Sequence, residues 1–399
     1  MANPHGGLHA VSRRPAMPRV LILGEFPTLN GGERSLFAVL PMLQSAGWQV
    51  DAHVPAAGLF AEKLQSLQIS IHGTPPTGTP LEVRRSALAE ILKASKYDLV
   101  HANSLAMGRM AGPVSAAANL PSLAHLRDII GLNAQSIADL NQNSRLLAVS
   151  QAVADFHAHQ GLARDQLHVL HNGIDLAVFA PSSRVVAGQR VSIRTELGLS
   201  PEAQLIAVIG QIIIRKGQDV ALSAAVQVLR GRPHVHVLVL GTRHSTKPET
   251  VEFERRLHRI VDGGGAAEQV HFLGTRDDLA TLMPQFDVLL HTARQEPLGR
   301  VLLEAAACGV PVIATDVGGT REIFPREQGD GATLVPSGDP IAAAEAMSLL
   351  LDNADLRRRI GVAGRRRIET AFSAEKSAAG LLEQYQLALG RSSDRIEPA

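Results

Sequence analysis

Short apolar runs recur along the chain, each closed by glycine or a polar residue and followed by a stretch with helical spacing. Val20-Leu21-Ile22-Leu23 ends in Gly24, 205–209 in Gly210, 235–240 in Gly241 and 270–273 in Gly274. Continuous apolar runs of this length mark parallel strands buried on both faces. Further strands are predicted at 49–54, 99–102, 122–125, 146–149, 167–170, 288–291 and 310–314. Between them the spacing predicts helices over 33–46, 80–95, 105–119, 150–160, 218–229, 249–262, 278–283, 299–308, 340–352, 354–371 and 374–389. In the first of these, Leu36, Phe37, Leu40 and Leu43 share a face, and Pro41 should kink the helix or delay its start. Ser150 is the expected N-cap of its helix. The stretch 181–188 turns polar and irregular and reads as a hinge. The pattern is α/β: two doubly wound parallel sheets, facing a cleft, with ligands expected at the carboxyl ends of strands.

Composition narrows the function classes. The chain has 399 residues, 45% of them hydrophobic, enough to bury real cores in two or three domains. Lys plus Arg number 39 and Asp plus Glu 38, so the net charge of +1 excludes a polyanion binder held by bulk electrostatics. Aromatics at 3% exclude broad base-stacking surfaces; no nucleic-acid partner is expected. A lone cysteine, Cys308, excludes a disulfide framework and a Cys-cluster metal site. Residues 1–18 lack the apolar core of a signal peptide and read as a disordered tail. No apolar run reaches about eighteen residues, so no transmembrane helix and a cytoplasmic location are expected. The triplets Arg357-Arg358-Arg359 and Arg365-Arg366-Arg367 read as a solvated helix face, with a peripheral contact at the inner face of the cell membrane left open.

The stretch 294–309 carries the chemistry. A strand ends near His291, a loop carries Glu296, and Gly299 opens a helix that carries Glu304. The free N–H groups at Leu298, Gly299, Arg300 and Val301 would face a phosphate. Glu304 would lie roughly 6–8 Å along the helix at 1.5 Å per residue. A bare carboxylate pair at this spacing is common. Its wording is not: Glu-Pro-Leu-Gly-Arg-Val-Leu-Leu-Glu at 296–304 resembles the E-x7-E signature of retaining glycosyltransferases of family 4, also called group 1. Cys308-Gly309-Val310-Pro311-Val312, Val317-Gly318-Gly319-Thr320-Arg321-Glu322, Asp330-Gly331-Ala332-Thr333-Leu334-Val335 and Asn172-Gly173-Ile174-Asp175 extend the resemblance.

The resemblance implies the GT-B fold. An N-terminal Rossmann-like acceptor domain would span 19–185 and a C-terminal nucleotide-sugar donor domain 186–373, with the last helix in 374–399 crossing back onto the first. It implies that Glu296 orients the donor sugar and Glu304 the ribose. Gly210–Gly217 is similar to the family's G-R-L-x-x-x-K-G element; Lys216 takes the Lys position for the diphosphate, and Gln211 stands where the family has Arg. Gln211 can donate a hydrogen bond but brings no charge, and Arg215 is a candidate to supply it. Gly31-Gly32 resembles the family's glycine-rich loop facing the donor phosphates. His125, at a strand end, resembles the cleft histidine that contacts the transferred sugar; Asn103, Ser104, Arg127 and Asp128 are acceptor candidates, and the base would lie near Gly241 and 273–276.

The implied reaction moves a sugar from a nucleotide-diphosphate sugar to an unidentified hydroxyl acceptor with retention, by a front-face route. His125, Lys216 and Glu296 are the expected catalytic residues. No Asp-x-Asp occurs, so no metal and no cofactor are expected. The competing readings are a non-catalytic ligand-binding protein of the same fold and another GT-B enzyme such as an epimerase or phosphorylase.

Overall fold

The computed structural model describes residues 17–76, 78–181, 192–326 and 331–391. The expected tail falls outside them apart from Met17 and Pro18, the expected hinge apart from Pro181, and Asp330 lies outside them too.

Strands β1 (Arg19–Leu23), β2 (Gln49–Val54), β3 (Ser70–Gly73), β4 (Leu99–Ala102), β5 (Ser122–Leu126), β6 (Arg145–Ala148) and β7 (Leu167–Val169) form a seven-stranded sheet in the order β3-β2-β1-β4-β5-β6-β7. Strands β8 (Gln204–Ile209), β9 (Val235–Leu240), β10 (Val270–Gly274), β11 (Val288–His291), β12 (Val312–Thr315) and β13 (Thr333–Val335) form a six-stranded sheet in the order β10-β9-β8-β11-β12-β13. The pairings in both are parallel. Order reverses between β1 and β4 and between β8 and β11. These are the switch points at which parallel sheets open a crevice beyond their strand ends. Val20 to Leu23 are wholly buried, as runs covered on both faces must be.

The unpredicted strands β3 and β13 are short edge strands; β3 ends in His72-Gly73 and carries little apolar signal. The unpredicted helices α2 (Leu59–Ser66), α5 (Ala134–Leu140), α7 (Ile193–Glu196) and α12 (Thr320–Ile323) are too short for helical periodicity to register. Helix α1 (Gly31–Ser45) starts earlier than expected. The Asn30 N–H donates to Glu33 Oε2 at 3.0 Å, closing the first turn. Pro41 does not delay the start: it lies exposed inside the helix, where it withholds the N–H that would have met Phe37 O.

After α14 (Ala354–Ala371) the chain returns to the first sheet. The Ile174 N–H donates to Phe372 O (2.8 Å) and the Ala374 N–H to Ile174 O (2.9 Å), turning it into α15 (Ala374–Ala388). Ala378, Leu381 and Tyr385 complete the apolar layer under α1, with Tyr385 tilted 4.8 Å from Trp48. The arginine triplets are not a solvated face throughout. The Arg365 guanidinium is buried and donates to Phe179 O and Ala307 O, Arg367 to Ile323 O and Glu322 O, and Arg357 to Leu350 O and Leu351 O. These side chains close carbonyls at helix ends and between domains. Among the described residues, no helix is long and apolar enough to cross a membrane.

Candidate active site

Two loops of the second domain are stitched together around Glu296. Lys216 sits in the turn after β8, and Gly217 then takes φ +66° to enter α8 (Gln218–Leu229). A side chain at Gly217 would strike Thr292 O, so the turn lies flat against the loop after β11. Thr292 Oγ1 donates to Gly217 O (2.7 Å), and the Arg294 N–H to Arg215 O (2.8 Å). From the other side Gly318-Gly319 packs on the Glu296-Pro297 backbone, and the Gly319 N–H donates to Glu296 O at 3.0 Å.

This brings two ionisable groups to one carboxylate oxygen. Glu296 is 5% exposed. Its Oε2 accepts from Lys216 Nζ at 2.5 Å and from His291 Nε2 at 2.6 Å. Burial by itself would raise the Glu296 carboxyl, but the Lys216 ammonium and the His291 ring hold it well below the usual carboxylate range. Burial keeps His291 below its ordinary value despite the carboxylate beside it, and the Lys216 and Arg215 charges add to that. The unit is therefore a carboxylate, an ammonium and a neutral imidazole that donates.

Helix α11 (Arg300–Ala307) begins directly after this loop. The N–H groups of Leu298, Gly299, Arg300 and Val301 donate to no group among the described residues, which leaves an anion-ready helix start beside Lys216. Glu304 is buried one turn in, its Oε1 accepting from Arg300 Nε at 2.8 Å. Burial raises its carboxyl, and Arg300 and Arg34 offset part of that rise. Arg300 then reaches across the cleft to Ser35 Oγ on α1 (2.9 Å), opposite Gly31. The side chains of Arg215 and Gln211 make no hydrogen bond or ion pair among the described residues; Arg215 is near enough to act on His291. Gly241 donates to Gly274 O (2.7 Å), and Arg276 is held by Glu196 and Asp278.

The opposite wall is built on a clamped arginine. Arg127 donates to Asn103 O (3.1 Å), Asn103 Oδ1 (2.8 Å) and Asn172 Oδ1 (2.6 Å). Burial lowers it to about 10, still charged at neutral pH. A Cβ on Gly32 would lie 3.0 Å from Arg127 Cδ, so the clamped Arg127 side chain would have to give way to it. Arg127 and Asn103, both acceptor candidates in the sequence, are bonded to each other in this wall. His125 lies at the end of β5 and is 4% exposed. Ser104 Oγ donates to Glu25 Oε2 (3.3 Å) and caps α4 (Leu105–Ala117).

The domains also meet behind the cleft. Ser150 caps α6 (Gln151–His159) as expected and donates to Pro297 O at 2.5 Å. The Glu322 carboxylate accepts from the Gln151 and Ala152 N–H groups (2.8 and 3.1 Å) and from His171 Nε2 (2.9 Å). Sequence reasoning missed His291, Ser35 and Asn172 as site-building groups. His291 had a signal, the last residue of a predicted strand five positions before Glu296; Ser35 had none. Among the described residues, no group of three or more His, Cys, Asp or Glu is placed to hold a metal ion.

Comparisons with known proteins agree with this architecture. The sequence profile of glycosyl transferases group 1 matches residues 189–367, and that of Glycosyltransferase Family 4 matches residues 29–178. The D-inositol 3-phosphate glycosyltransferase of Segniliparus rotundus is 34% identical over 255 residues, covering 62% of this chain and 53% of that protein. The protein of the same name from Xylanimonas cellulosilytica is 33% identical over 234 residues, covering 58% and 54%. The chain thus spans about half the length of these relatives. In fold it is similar to Anabaena HepE in complex with UDP-glucose (TM-score 0.79, 22% identity, 92% and 99% covered). It is also similar to a glycosyltransferase from Rickettsia africae (TM-score 0.81, 19% identity, 94% and 99% covered). With one profile on each sheet domain and the GT-B architecture beneath both, the chain belongs to the group 1 glycosyltransferases of family 4.

Proposed function

We propose that this protein transfers a glycosyl group from a nucleoside-diphosphate sugar to an acceptor hydroxyl, with retention of anomeric configuration and without a metal ion. One observation carries the reading: the Lys216–Glu296–His291 unit stands beside the unpaired N–H groups at the start of α11, facing Gly31-Gly32 across the cleft. In the front-face step, the bond between the anomeric carbon and the diphosphate oxygen breaks. The bond to the acceptor oxygen forms on the same face, and the acceptor proton passes to the departing phosphate oxygen. Charge then grows on the diphosphate, where Lys216, Arg215 and the helix N–H groups stabilise it more than in the ground state. Glu296, kept ionised, orients sugar hydroxyls, and Glu304 receives the ribose. His125 contacts the sugar from the first domain.

UDP-glucose is the first donor to test, since HepE was solved with it, and D-inositol 3-phosphate the first acceptor, from the relatives' name. The assay follows UDP release and the glycoside product, with and without EDTA. Turnover that survives EDTA, with an α-linked product from the α-linked donor, is the expected result. Failure of a panel of nucleotide sugars to turn over would overturn the reading, as would EDTA inhibition reversed by Mn²⁺. Donor consumption yielding an epimer, or phosphorolysis, would favour the other enzymes of this fold.

A further inference from the structure

Two buried side chains outside the site above form a chain that ends on His125. In β4 and β5 side chains alternate between faces, so Leu99 and His101 share one face, as do Leu123 and His125. That face is the one covered by α15. One pleat beyond the apolar layer, Tyr385 Oη meets His101 Nδ1 at 2.6 Å, and His101 Nε2 meets His125 Nδ1 at 2.8 Å. Tyr385 and His101 are fully buried.

The protons in this chain have one consistent order. Burial pushes the Tyr385 phenol far up, so its O–H is intact. Burial lowers His101 to about 3 and His125 well below its ordinary value, so each neutral ring carries one N–H. The Tyr385 hydroxyl has no other partner among the described residues, so it donates to His101 Nδ1. The His101 proton then resides on Nε2 and is donated to His125 Nδ1. The His125 proton is left on Nε2. That atom has no hydrogen-bond partner among the described residues and keeps some exposure to solvent, at the carboxyl end of β5.

We propose that Tyr385 and His101 are positioning residues that set the tautomer of His125, so that the cleft meets an imidazole N–H donor and not a basic nitrogen. The ligand group it fits is an oxygen lone pair of the bound glycosyl donor, a sugar hydroxyl or the bridging oxygen. Because Tyr385 belongs to α15, the helix that returns across the first domain supplies the origin of the relay. The role in turnover rests on the sugar-transfer reading; the tautomer does not.

The test uses the full chain, labelled with ¹⁵N in its imidazole rings, unliganded. The His125 resonances should show a protonated-type Nε2 and an unprotonated-type Nδ1. Tyr385→Phe keeps the ring against Trp48 but removes the first donor; the His125 pattern should become mixed. In the same variant kcat for transfer should fall about tenfold, the scale of one lost hydrogen bond, with KM for the nucleotide sugar little changed and the thermal midpoint lowered, because His101 Nδ1 is left buried without its donor. His101→Gln, whose amide can accept from Tyr385 and donate to His125, should retain more kcat than His101→Phe. A protonated Nδ1 in the wild-type chain would overturn the proposal. So would either effect of Tyr385→Phe without the other. If no nucleotide sugar turns over, the sugar-transfer reading fails while the NMR arm still decides the tautomer.

Discussion

Lys216→Ala tests the charged centre in two independent ways. In the folded chain the ammonium is the nearest counter-charge to Glu296, at 2.5 Å, with the two side chains only 15% and 6% exposed. Deleting it leaves a buried carboxylate with one neutral donor, His291. Removing one partner of a buried pair costs about 3–5 kcal/mol, and the open cleft beside this pair brings the expected loss to about 2–3 kcal/mol at pH 7. The pH dependence carries the sign. In the wild type the folded carboxyl is depressed below its ordinary 4.5, so its contribution is present above that value and lost as pH falls further. In the variant, burial acts without the ammonium and raises the carboxyl. The folded chain then holds the proton more tightly than the unfolded one, and acid relieves the defect. Urea midpoints from pH 8 down to pH 4.5 should therefore converge for the two proteins. Adding Glu296→Gln should restore most of the variant's stability at neutral pH. Turnover should fall by about 10²–10³, corresponding to about 2.7–4 kcal/mol for one lost donor to the developing charge, and Glu296→Gln should not restore it. A stability gap independent of pH, or a double variant as unstable as the sum of its parts, would refute the electrostatic account.

Two further outcomes follow from packing. In Gly319→Ala the added Cβ would strike Pro297 O and lie 2.8 Å from Leu298 Cα and 3.0 Å from Ser150 Cβ, so backbone must move; the thermal midpoint and turnover should both drop, and a neutral result would refute the close approach. Burial, with Glu304 adding, pushes the Cys308 thiol up to about 12, so the native chain should resist thiol reagents at pH 8 and take up one equivalent only when unfolded; stoichiometric labelling of the native form would contradict this.

Legibility along the chain followed the strength of the local signal. Strands β1, β4, β8 and β9 are apolar apart from Arg19, His101, Gln204 and His236, and all appear within a residue or so of their predicted bounds. The helices expected at about 218–229, 340–352 and 354–371 form over those residues, because their apolar faces are long enough for the period to register. Edge strand β3 and the short helices were not, since a few mixed residues carry no period. At the site, Lys216, Glu296 and Glu304 stand out through the resemblance of two local segments, 210–217 and 296–304, to the family's wording; the spacing of the two carboxylates by itself is common. Arg127 is in sequence an acceptor candidate or half of a surface pair. Its three bonds go to Asn103 and Asn172, and no local pattern records partners 24 and 45 residues away.

The sequence by itself determined two α/β series, their strand ends, and the polar groups that follow them, because burial on both faces and helix starts leave marks within a few residues. The net charge of +1 argues against a polyanion surface but holds no trace of a pocket where one ammonium and free helix N–H groups converge. Tertiary structure alone decided which protonation states exist there. Glu296 is an anion because folding brings Lys216 from 80 residues away, and the path from Tyr385 through His101 to His125 exists because the last helix returns to the first sheet. Charge state depends on distance and desolvation, and both are set by packing between segments remote in the chain.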